Sequence, residues 1–438
     1  MRALIKLIQK TYRMVDPQEG SKVLRNVGSL SGLQVITYIL PVIILPYLFR
    51  VLGPDKFGLI CFAQAFVQYF MIVTDYGFSV SATKSISLHI EDKKKICEIV
   101  SAVMTIKLIL GFISLIVLSI VILLVPKFKH DWMIYALSFG AVIGNILFPT
   151  WFFQGSESMK YTAKLNIIGE FIYAFGIFLL IHSPNDFLMV PTITSLSMLL
   201  TGFMGQYILF SRFHMTFQLP TWKDLRRELS AGWNVFISVV AINTYTTTRI
   251  FAVGLLTNNS LTGFYSIAEK IANTVQTFPL SSFTQAIFPR LSHIFHKNKE
   301  KALKIMEQVQ LITVIISLIF LPITFVFSPL IIRLVCGGAY PAAILSLRFL
   351  LISVFFISAN AFRVQFLLVC GKTELYSRIH ITMAIIGLPL IIAMIHHYSY
   401  VGAAMATCLI EGGVFTMTYF TVKGIAAFIE FKLPETIE

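Results

Sequence analysis

Residues 96–125 read ICEIVSAVMTIKLILGFISLIVLSIVILLV, a run of 30 residues with two charged side chains, Glu98 and Lys107. A helix of about 20 apolar residues is enough to cross the hydrocarbon core of a bilayer. A surface helix of a water-soluble domain would instead carry polar residues along one whole face. The run therefore predicts a membrane-spanning helix.

The same pattern recurs along the whole chain. Of its 438 residues, 56% are hydrophobic and 13% are charged, and the mean hydropathy is +0.80, whereas soluble domains carry about 25% charged residues. This composition disfavours a nucleic-acid-binding protein or an ordinary cytosolic enzyme, and it predicts an all-α integral membrane protein with twelve transmembrane helices. The predicted spans are 24–49, 57–80, 96–125, 132–153, 161–182, 186–210, 231–256, 262–288, 305–333, 344–368, 376–396 and 399–422.

The distribution of Lys and Arg predicts which ends of the spans face the cytoplasm. With the N-terminus inside, 25 of the 35 Lys and Arg residues fall in cytoplasmic segments, five fall in the opposite loops and five lie inside spans. Because cytoplasmic loops carry an excess of these residues, both termini are predicted to be cytoplasmic. The net charge of +14 also favours an anionic partner, such as lipid headgroups or a phosphorylated substrate.

A weak internal repeat relates the two halves of the chain. At an offset of 205 residues, Gly58 aligns with Gly263 and Ala63 aligns with Ala268, and the first span falls on the seventh. Six spans in each half give both halves the same orientation, which predicts a parallel repeat with a substrate path between two lobes. The predicted segments are a cytoplasmic N-terminal segment 1–23, an N-lobe 24–210, a cytoplasmic linker 211–230, a C-lobe 231–422 and a cytoplasmic tail 423–438.

Several common catalytic motifs are absent from the sequence. Gly371-Lys372-Thr373 resembles the end of a Walker A loop, but Phe366 occupies a position where that motif needs a glycine. HExxH, GxSxG and GxGxxG patterns are absent from the sequence, and its five cysteines have scattered spacing. We therefore expect transport rather than an enzyme activity, with no metal and no cofactor, and with a gradient of H⁺ or Na⁺ as a candidate energy source.

Charged residues inside spans are the candidate functional residues, because each costs about 2.5–3.5 kcal/mol near the centre of a bilayer. We interpret Arg249, Glu269 and Lys270 as functional, since their two helices are also rich in Asn, Thr and Gln. All three are predicted about 10–12 Å below the outer surface, where Arg249 could pair with Glu269. Further charged candidates are Arg25, which starts the first span, and, inside spans, Asp75, Lys107, Glu170, Arg348, Arg363 and Glu411.

Several of these further residues also have a structural interpretation. Lys107, Glu170 and Glu411 fit ion pairs between neighbouring helices, and Arg348 and Arg363 can extend to the membrane interfaces. An arginine binds two oxygens of a phosphate group at once, so cations on polar helices also fit a hydrated cavity for an anionic group. Lys107, Glu170, Arg363 and Glu411 are therefore secondary candidates for such a cavity.

One segment resembles a known family. Residues 45–58 read LPYLFRVLGPDKFG and are similar to the LPYLxRVLGPxxFG segment of the bacterial polysaccharide-type (Wzx-like) flippases, which export O-antigen and other lipid-linked oligosaccharides. The similarity covers essentially the whole chain, and its second half is shared with the wider superfamily of multidrug, oligosaccharidyl-lipid and polysaccharide exporters. The matching segments are TDYGF at 74–78, SATK at 81–84, GFYSIAEK at 263–270 and FPRLS at 288–292.

The resemblance implies two six-helix lobes that face each other in a V, with spans 1, 2, 7 and 8 around a cationic cavity. It implies alternating access that moves an undecaprenyl-pyrophosphate-linked oligosaccharide from the inner to the outer leaflet of the bacterial inner membrane. Arg25, Arg249 and Lys270 would contact the substrate, and Asp75 or Glu269 would couple transport to a proton or sodium gradient. Further expected partners are membrane lipids, a polysaccharide polymerase and chain-length machinery.

Two alternative functions remain open. A cation-coupled multidrug antiporter of the same superfamily would favour an anionic cavity, but the first predicted span, 24–49, lacks the acidic residue that is common there in such relatives. A polymerase or scaffold of glycan assembly would be a second alternative. A polymerase would usually need a large outer loop, whereas the longest one predicted, 334–343, has only about ten residues.

Overall fold

The computed structural model describes residues 17–277 and 299–431, with side chains described for 40–277 and 302–425. Nearly all of the described residues lie in helices, as the long apolar runs predict. The helices are α1 (Pro17–Asp75), α2 (Phe78–Leu88), α3 (Lys93–Leu124), α4 (Pro126–His130), α5 (Trp132–Leu147), α6 (Thr150–Gly155), α7 (Met159–Leu180), a short 3₁₀ helix (Pro184–Leu188), α8 (Met189–Ser211), α9 (Trp222–Thr246), α10 (Thr248–Leu256), α11 (259–277), α12 (Lys299–Val326), α13 (Ser328–Cys336), α14 (Pro341–Val369) and α15 (Thr373–Phe431).

Among the described residues, eight helical segments are long and apolar enough to cross a membrane, or nine if the bent pair α9–α10 is one span. Two of these segments lie in α1 and α15, each of which consists of two helices that meet at a kink, at one residue with non-helical backbone angles. In α1 this residue is Gly53, with a φ of 71°, and in α15 it is Ser399, with a φ of 54°. The chain is therefore a nearly all-helical, multi-pass membrane protein.

Packing divides the chain into two compact units. The first unit comprises Leu33–Gly263, and the second comprises Phe264–Glu438 together with the beginning of the chain up to Gly32. The seventh predicted span, 231–256, therefore packs with helices of the first unit. The lobe boundaries expected from the internal repeat describe sequence similarity rather than packing, and they stay a prediction.

One part of the core of the first unit lies where α2, α3 and α6 meet. Phe78 and Ile86 of α2 are fully buried in one hydrophobic cluster with Trp151, Phe152 and Phe153 of α6. Aromatic side chains of this size bury a large apolar area. The aromatic run at the end of the fourth predicted span therefore packs inside the protein rather than against lipid.

A tight turn at Tyr76 and Gly77 holds the middle of α9, where the seventh predicted span begins, in the first unit. Both residues have positive φ angles, 47° and 76°, which are unfavourable for Tyr and readily adopted by Gly. A Cβ atom on Gly77 would lie 2.8 Å from Cγ1 of Val235, and the ring of Tyr76 stacks on that of Phe236 with 4.7 Å between centroids. The TDYGF motif thus supplies a close packing surface for the seventh span.

Lys127 in the short helix α4 holds the other end of this span. Its ammonium donates hydrogen bonds to the carbonyl oxygens of Gly254 and, at 3.3 Å, of Leu255, which lie in the last turn of α10 and lack intrahelical donors. The ammonium also lies 5.3 Å from the centroid of the Phe62 ring. Burial lowers the pKa of Lys127 below its ordinary value of 10.5. The bent span is therefore anchored in the first unit at both ends.

In the second unit, α12, α14 and α15 pack together. The side-chain amide of Gln310 in α12 bonds to two backbone groups of α14, a carbonyl oxygen and the N–H four residues later. Its Nε2 donates to the carbonyl oxygen of Ser358 at 3.2 Å, and its Oε1 accepts from the N–H of Phe362 at 3.2 Å. All three residues are buried. This contact fixes α12 against α14 next to Arg363.

Candidate functional site

The seventh predicted span is not one straight helix, because α9 and α10 meet at an angle of 45°. Arg249 is the second residue of α10, and its side chain is half-buried. The last carbonyls of a helix lack intrahelical partners, and the carbonyl of Thr246 accepts a hydrogen bond of 3.1 Å from Nε of Arg249. This bond orients the guanidinium at the break between the two helices. The bend thus fixes a cation inside a membrane-spanning segment.

Contacts with α1 hold the bend in place. The hydroxyl oxygens of Tyr69 and Thr248 lie 2.7 Å apart and share a hydrogen bond. The ring of Phe251 stacks on those of Phe62 and Phe66, with 5.3 and 5.7 Å between centroids. These contacts lie immediately before the arginine and two residues after it. Helix α1 therefore sets the position of the cation.

The polar residues around the bend bond mostly within their own helix. Thr244 and Thr246 each donate a hydrogen bond to the carbonyl oxygen four residues earlier. Thr247 donates to Oδ1 of Asn243 at 3.1 Å. Their hydroxyl donors are satisfied locally, so at this bend the guanidinium is the group with the charge to attract an anion.

Helix α1 crosses the first turns of α11 at two glycines. A Cβ atom on Gly58 would collide with the carbonyl oxygen of Asn259, and a Cβ atom on Gly263 would collide with the carbonyl oxygen of Pro54. The two contacts are equivalent under the offset of 205 residues that aligns the halves of the chain, because Gly58 corresponds to Gly263 and Pro54 to Asn259. Reciprocal contacts of this kind are typical of a two-fold axis, and only glycine allows so close an approach.

Lys107 of α3 and Asp75 at the end of α1 lie in the first unit. Lys107 is 2% exposed, and its ammonium donates a hydrogen bond of 3.2 Å to the carbonyl oxygen of Asn145. Pro149, four residues after Asn145, has no N–H to offer this carbonyl, so Lys107 supplies the missing donor. The half-buried Asp75 attracts the ammonium electrostatically. These contacts favour a packing role for Lys107.

Glu170 of α7 is half-buried. In the part of the chain that the structure describes, its carboxylate forms no hydrogen bond and no ion pair. Its electrostatic contact is with Tyr173, one turn further along the same helix. The electrostatic contact of Glu170 is therefore within its own helix and not with a described cation on a neighbouring helix.

Glu269 and Lys270 are neighbours on α11 in the second unit. The Glu269 side chain is 5% exposed, whereas Lys270 is half-buried. Arg249 belongs to the first unit, so the ion pair between Arg249 and Glu269 stays a prediction. Arg25 lies on α1, and its side chain is outside the described residues.

Arg363 of α14 is held by contacts in the second unit. Its Nη1 donates to the carbonyl oxygen of Ala359 at 2.7 Å. The guanidinium carbon lies 5.2 and 5.1 Å from the ring centroids of Phe415 and Tyr419, within the range of cation–π contacts. Glu411 lies on the same helix as these two rings and is half-buried. The stacked position of Arg363 favours a packing role.

Charge does not single out three polar side chains of the first unit, those of Tyr69, Gln64 and Gln68. Tyr69 fixes the bend beside Arg249, and it has no charge that would single it out in the sequence. Gln64 and Gln68 lie in the second predicted span. Their spacing of four residues is a usable signal in the sequence, since it places two amides on one helix face.

Within the described residues, no group of three or more His, Cys, Asp or Glu side chains is arranged to hold a metal ion. The expectation of no resident cofactor stays a prediction, as does coupling to a proton or sodium gradient. The two residues predicted to provide coupling, Asp75 and Glu269, lie in different units.

Comparison with known proteins identifies the family. Residues 23–295 match the family model described as polysaccharide biosynthesis protein, which covers more than half of the chain. A protein from Escherichia coli (strain K12) named as an O-antigen transporter is 30% identical over 389 residues, which are 88% of this chain and 93% of that protein. A protein from Haloferax volcanii named as a low-salt glycan biosynthesis flippase is 25% identical over 82% of this chain and 75% of its own length.

Solved structures of transporters share the fold. An inward-facing multidrug resistance MATE family transporter of the MOP superfamily matches with a TM-score of 0.73 at 14% identity, covering 90% of this chain and 96% of its own. The lipid II flippase MurJ, in an inward closed conformation, matches with a TM-score of 0.71 at 16% identity, covering 89% and 87%. The resemblance at residues 45–58 is thus confirmed by relatives that are named as transporters and flippases rather than as enzymes. With apolar helices, fold and relatives in agreement, the chain is a transmembrane transporter that belongs to the polysaccharide biosynthesis protein family.

Proposed function

We propose that this protein moves an undecaprenyl-pyrophosphate-linked oligosaccharide, an O-antigen or similar repeat unit, from the inner to the outer leaflet of the bacterial inner membrane. Family membership supports the class of substrate, because the relatives are named for O-antigen transport and glycan flipping. The bias of Lys and Arg supports cytoplasmic termini. In this proposal the protein is a flippase and makes or breaks no covalent bond.

The observation that carries the proposal is Arg249 at the bend of a membrane-spanning segment. A cation at such a position costs about 2.5–3.5 kcal/mol on insertion scales. Here a helix break, a hydrogen bond between Tyr69 and Thr248 and an aromatic stack all fix its position. The planar guanidinium binds two oxygens of a phosphate group at once. The cation therefore suits the anionic link of the substrate, whatever the sugars attached to it.

Twelve spans in two lobes are part of the proposal. Helices α1 and α15 each cover two predicted spans, the bent pair α9–α10 counts as one, and α11 begins another. With the remaining long helices this supports a total of twelve. The reciprocal contacts at Gly58 and Gly263 support a repeat of the two halves about a two-fold axis.

The proposed mechanism is alternating access. A cavity open to the cytoplasm attracts the pyrophosphate to Arg249, Arg25 and Lys270, and the bound anion reduces repulsion among these cations. The lobes then rock to expose the sugars to the outer side, while the prenyl tail remains in the lipid. Asp75 or Glu269 couples this change to a proton or sodium gradient. The substrate shifts the equilibrium only by the difference between its affinities for the two states.

Cells that lack the protein but still make the lipid-linked oligosaccharide provide the test. A glycan-modifying enzyme added to spheroplasts reports how much glycan has reached the outer leaflet, and re-expression of the protein should make the glycan accessible. Arg249→Glu should lower the initial rate by roughly 10–100-fold, since a hydrogen bond to a charged group is worth about 1.5–3 kcal/mol. The matched control is Arg226→Glu, an equal change of charge at an exposed position of α9, which should leave the rate unchanged.

Two results would count against the proposal. Full transport by Arg249→Glu would remove the role given to this residue. Glycan sidedness that does not depend on the protein, in cells without a second flippase, would contradict the proposed substrate. A cation-coupled multidrug antiporter would then be the function to test.

A further inference from the structure

Two glutamines on α1 have side-chain amides that are available for a ligand. Gln64 is half-buried and Gln68 is exposed, and neither amide has a hydrogen-bond partner among the residues that the structure describes. The two residues are four positions apart, so they lie on one face of the helix with about 5–6 Å between their Cβ atoms. The sequence thus presents a pair of uncharged donor and acceptor groups side by side.

These amides lie inside a membrane-spanning segment. With the outer end of the second predicted span at residue 57, Gln64 and Gln68 are about 10 and 16 Å below it. An amide without a partner is strongly disfavoured in a purely apolar medium. The face that carries the two glutamines is therefore suited to water or to a polar ligand, and not to lipid.

Arg249 lies at a similar level in the first unit. Tyr69 directly follows Gln68 in the sequence, and its hydroxyl oxygen lies 2.7 Å from that of Thr248, the residue before Arg249. One hydrogen bond therefore links the backbone segment of the amides to the backbone segment of the guanidinium. Cationic and uncharged polar groups thus occur together in one part of the first unit.

We propose that Gln64 and Gln68 bind the sugar hydroxyls of the substrate. An amide both donates and accepts hydrogen bonds and carries no charge, as sugar hydroxyls do, whereas a guanidinium only donates. The first unit then divides recognition between two groups: Arg249 binds the pyrophosphate, and the amides bind the glycan. This inference rests on the proposed function and assigns the part of the ligand that each group contacts.

Equilibrium binding to the purified protein in lipid nanodiscs separates the two parts of the ligand. One probe is undecaprenyl pyrophosphate that carries the repeat unit, and the other is undecaprenyl pyrophosphate without sugar. The double variant Gln64→Leu/Gln68→Leu removes the amides and keeps the side chains similar in size. It should weaken binding of the glycan-bearing lipid by about tenfold, because a neutral hydrogen bond is worth a factor of about 2–10. Binding of the sugar-free lipid should change by less than about twofold.

Matched variants complete the experiment. Gln154→Leu, at an exposed glutamine of α6, should affect neither probe, and Arg249→Lys should weaken both. Gln68→Leu alone, at an exposed position, gives the same comparison with about a threefold loss if the double variant is unstable.

Equal weakening of both probes by the glutamine variants, or no weakening of the glycan-bearing lipid, would overturn the assignment of the amides to sugar. Wild-type protein that binds neither lipid would overturn the proposed function, and the assignment with it. The two failures therefore differ in the behaviour of the wild-type protein.

Discussion

Adding one methyl group at Gly58 should separate α1 from the first turns of α11. The added Cβ would collide with the carbonyl oxygen of Asn259, a backbone atom that cannot rotate away as a side chain can. The two helices must move apart, and overpacking of this kind costs about 1–3 kcal/mol. The crossed state should therefore lose about 5- to 150-fold in population relative to a separated one. Gly263→Ala should act in the same way, because its Cβ would collide with Pro54.

Cysteines at positions 55 and 260 would report this crossing directly. Oγ of Ser260 and Oδ1 of Asp55 lie 3.5 Å apart, so Asp55→Cys and Ser260→Cys place two thiols within reach of a short cross-linker. In the protein that carries these two cysteines, Gly58→Ala should lower the cross-linking rate by about 5- to 150-fold. Gly424→Ala is the matched control, since nothing lies within 4 Å of a Cβ atom added there.

Cross-linking of the Gly58→Ala protein at the control rate would refute this reasoning. The double variant Gly58→Ala/Gly263→Ala gives an internal check. Both methyl groups act on one crossing, so their joint effect should be smaller than the product of the single effects. A fully multiplicative result would show that the two glycines act in independent contacts.

Two further substitutions separate packing from transport. Lys107→Met should preserve transport in the spheroplast assay and change the free energy of unfolding by less than about 2 kcal/mol. The lost hydrogen bond to Asn145 costs about 1–3 kcal/mol, and removal of a buried charge offsets it by about 2.5–3.5 kcal/mol. A tenfold loss of transport in a normally folded variant would contradict this prediction. Arg363→Lys should lower thermal stability by about 1–2 kcal/mol, since an ammonium does not reproduce the flat contacts with Phe415 and Tyr419. Its affinity for the lipid-linked glycan should stay the same, and an unaltered melting temperature would argue against this packing role.

Hydropathy predicts the helical membrane architecture of this protein but not the ends of its helices. The polar stretch Arg50–Lys56 separates two predicted spans, yet its residues on both sides of Gly53 are helical, and two helices meet there at a kink formed by Gly53. Hydropathy measures preference for lipid, and a polar stretch can stay helical at the membrane surface. The converse occurs in the span 231–256, which the structure bends at Thr247, because a polar run does not show where the carbonyls lose their donors.

The candidate charges can be found from the sequence because a charge inside a membrane is costly, but their partners cannot. Lys107 bonds to the carbonyl oxygen of Asn145, 38 residues away, and only the fold brings the two together. Tyr69 fixes the bend beside Arg249, yet it is an uncharged aromatic residue in an apolar span. Gln64 and Gln68, within the five residues before it, can be found from the sequence because their spacing of four residues is visible there.

The anchoring of the bent span at both ends affects the order in which the protein can assemble during synthesis. The start of the span lies on the turn at Tyr76 and Gly77, and its end is capped by Lys127. When a ribosome has made only the first six spans, this turn, this ammonium and the aromatic face of α1 still lack their contacts with the seventh span. The first unit can therefore finish folding only after the chain up to Gly263 has been inserted.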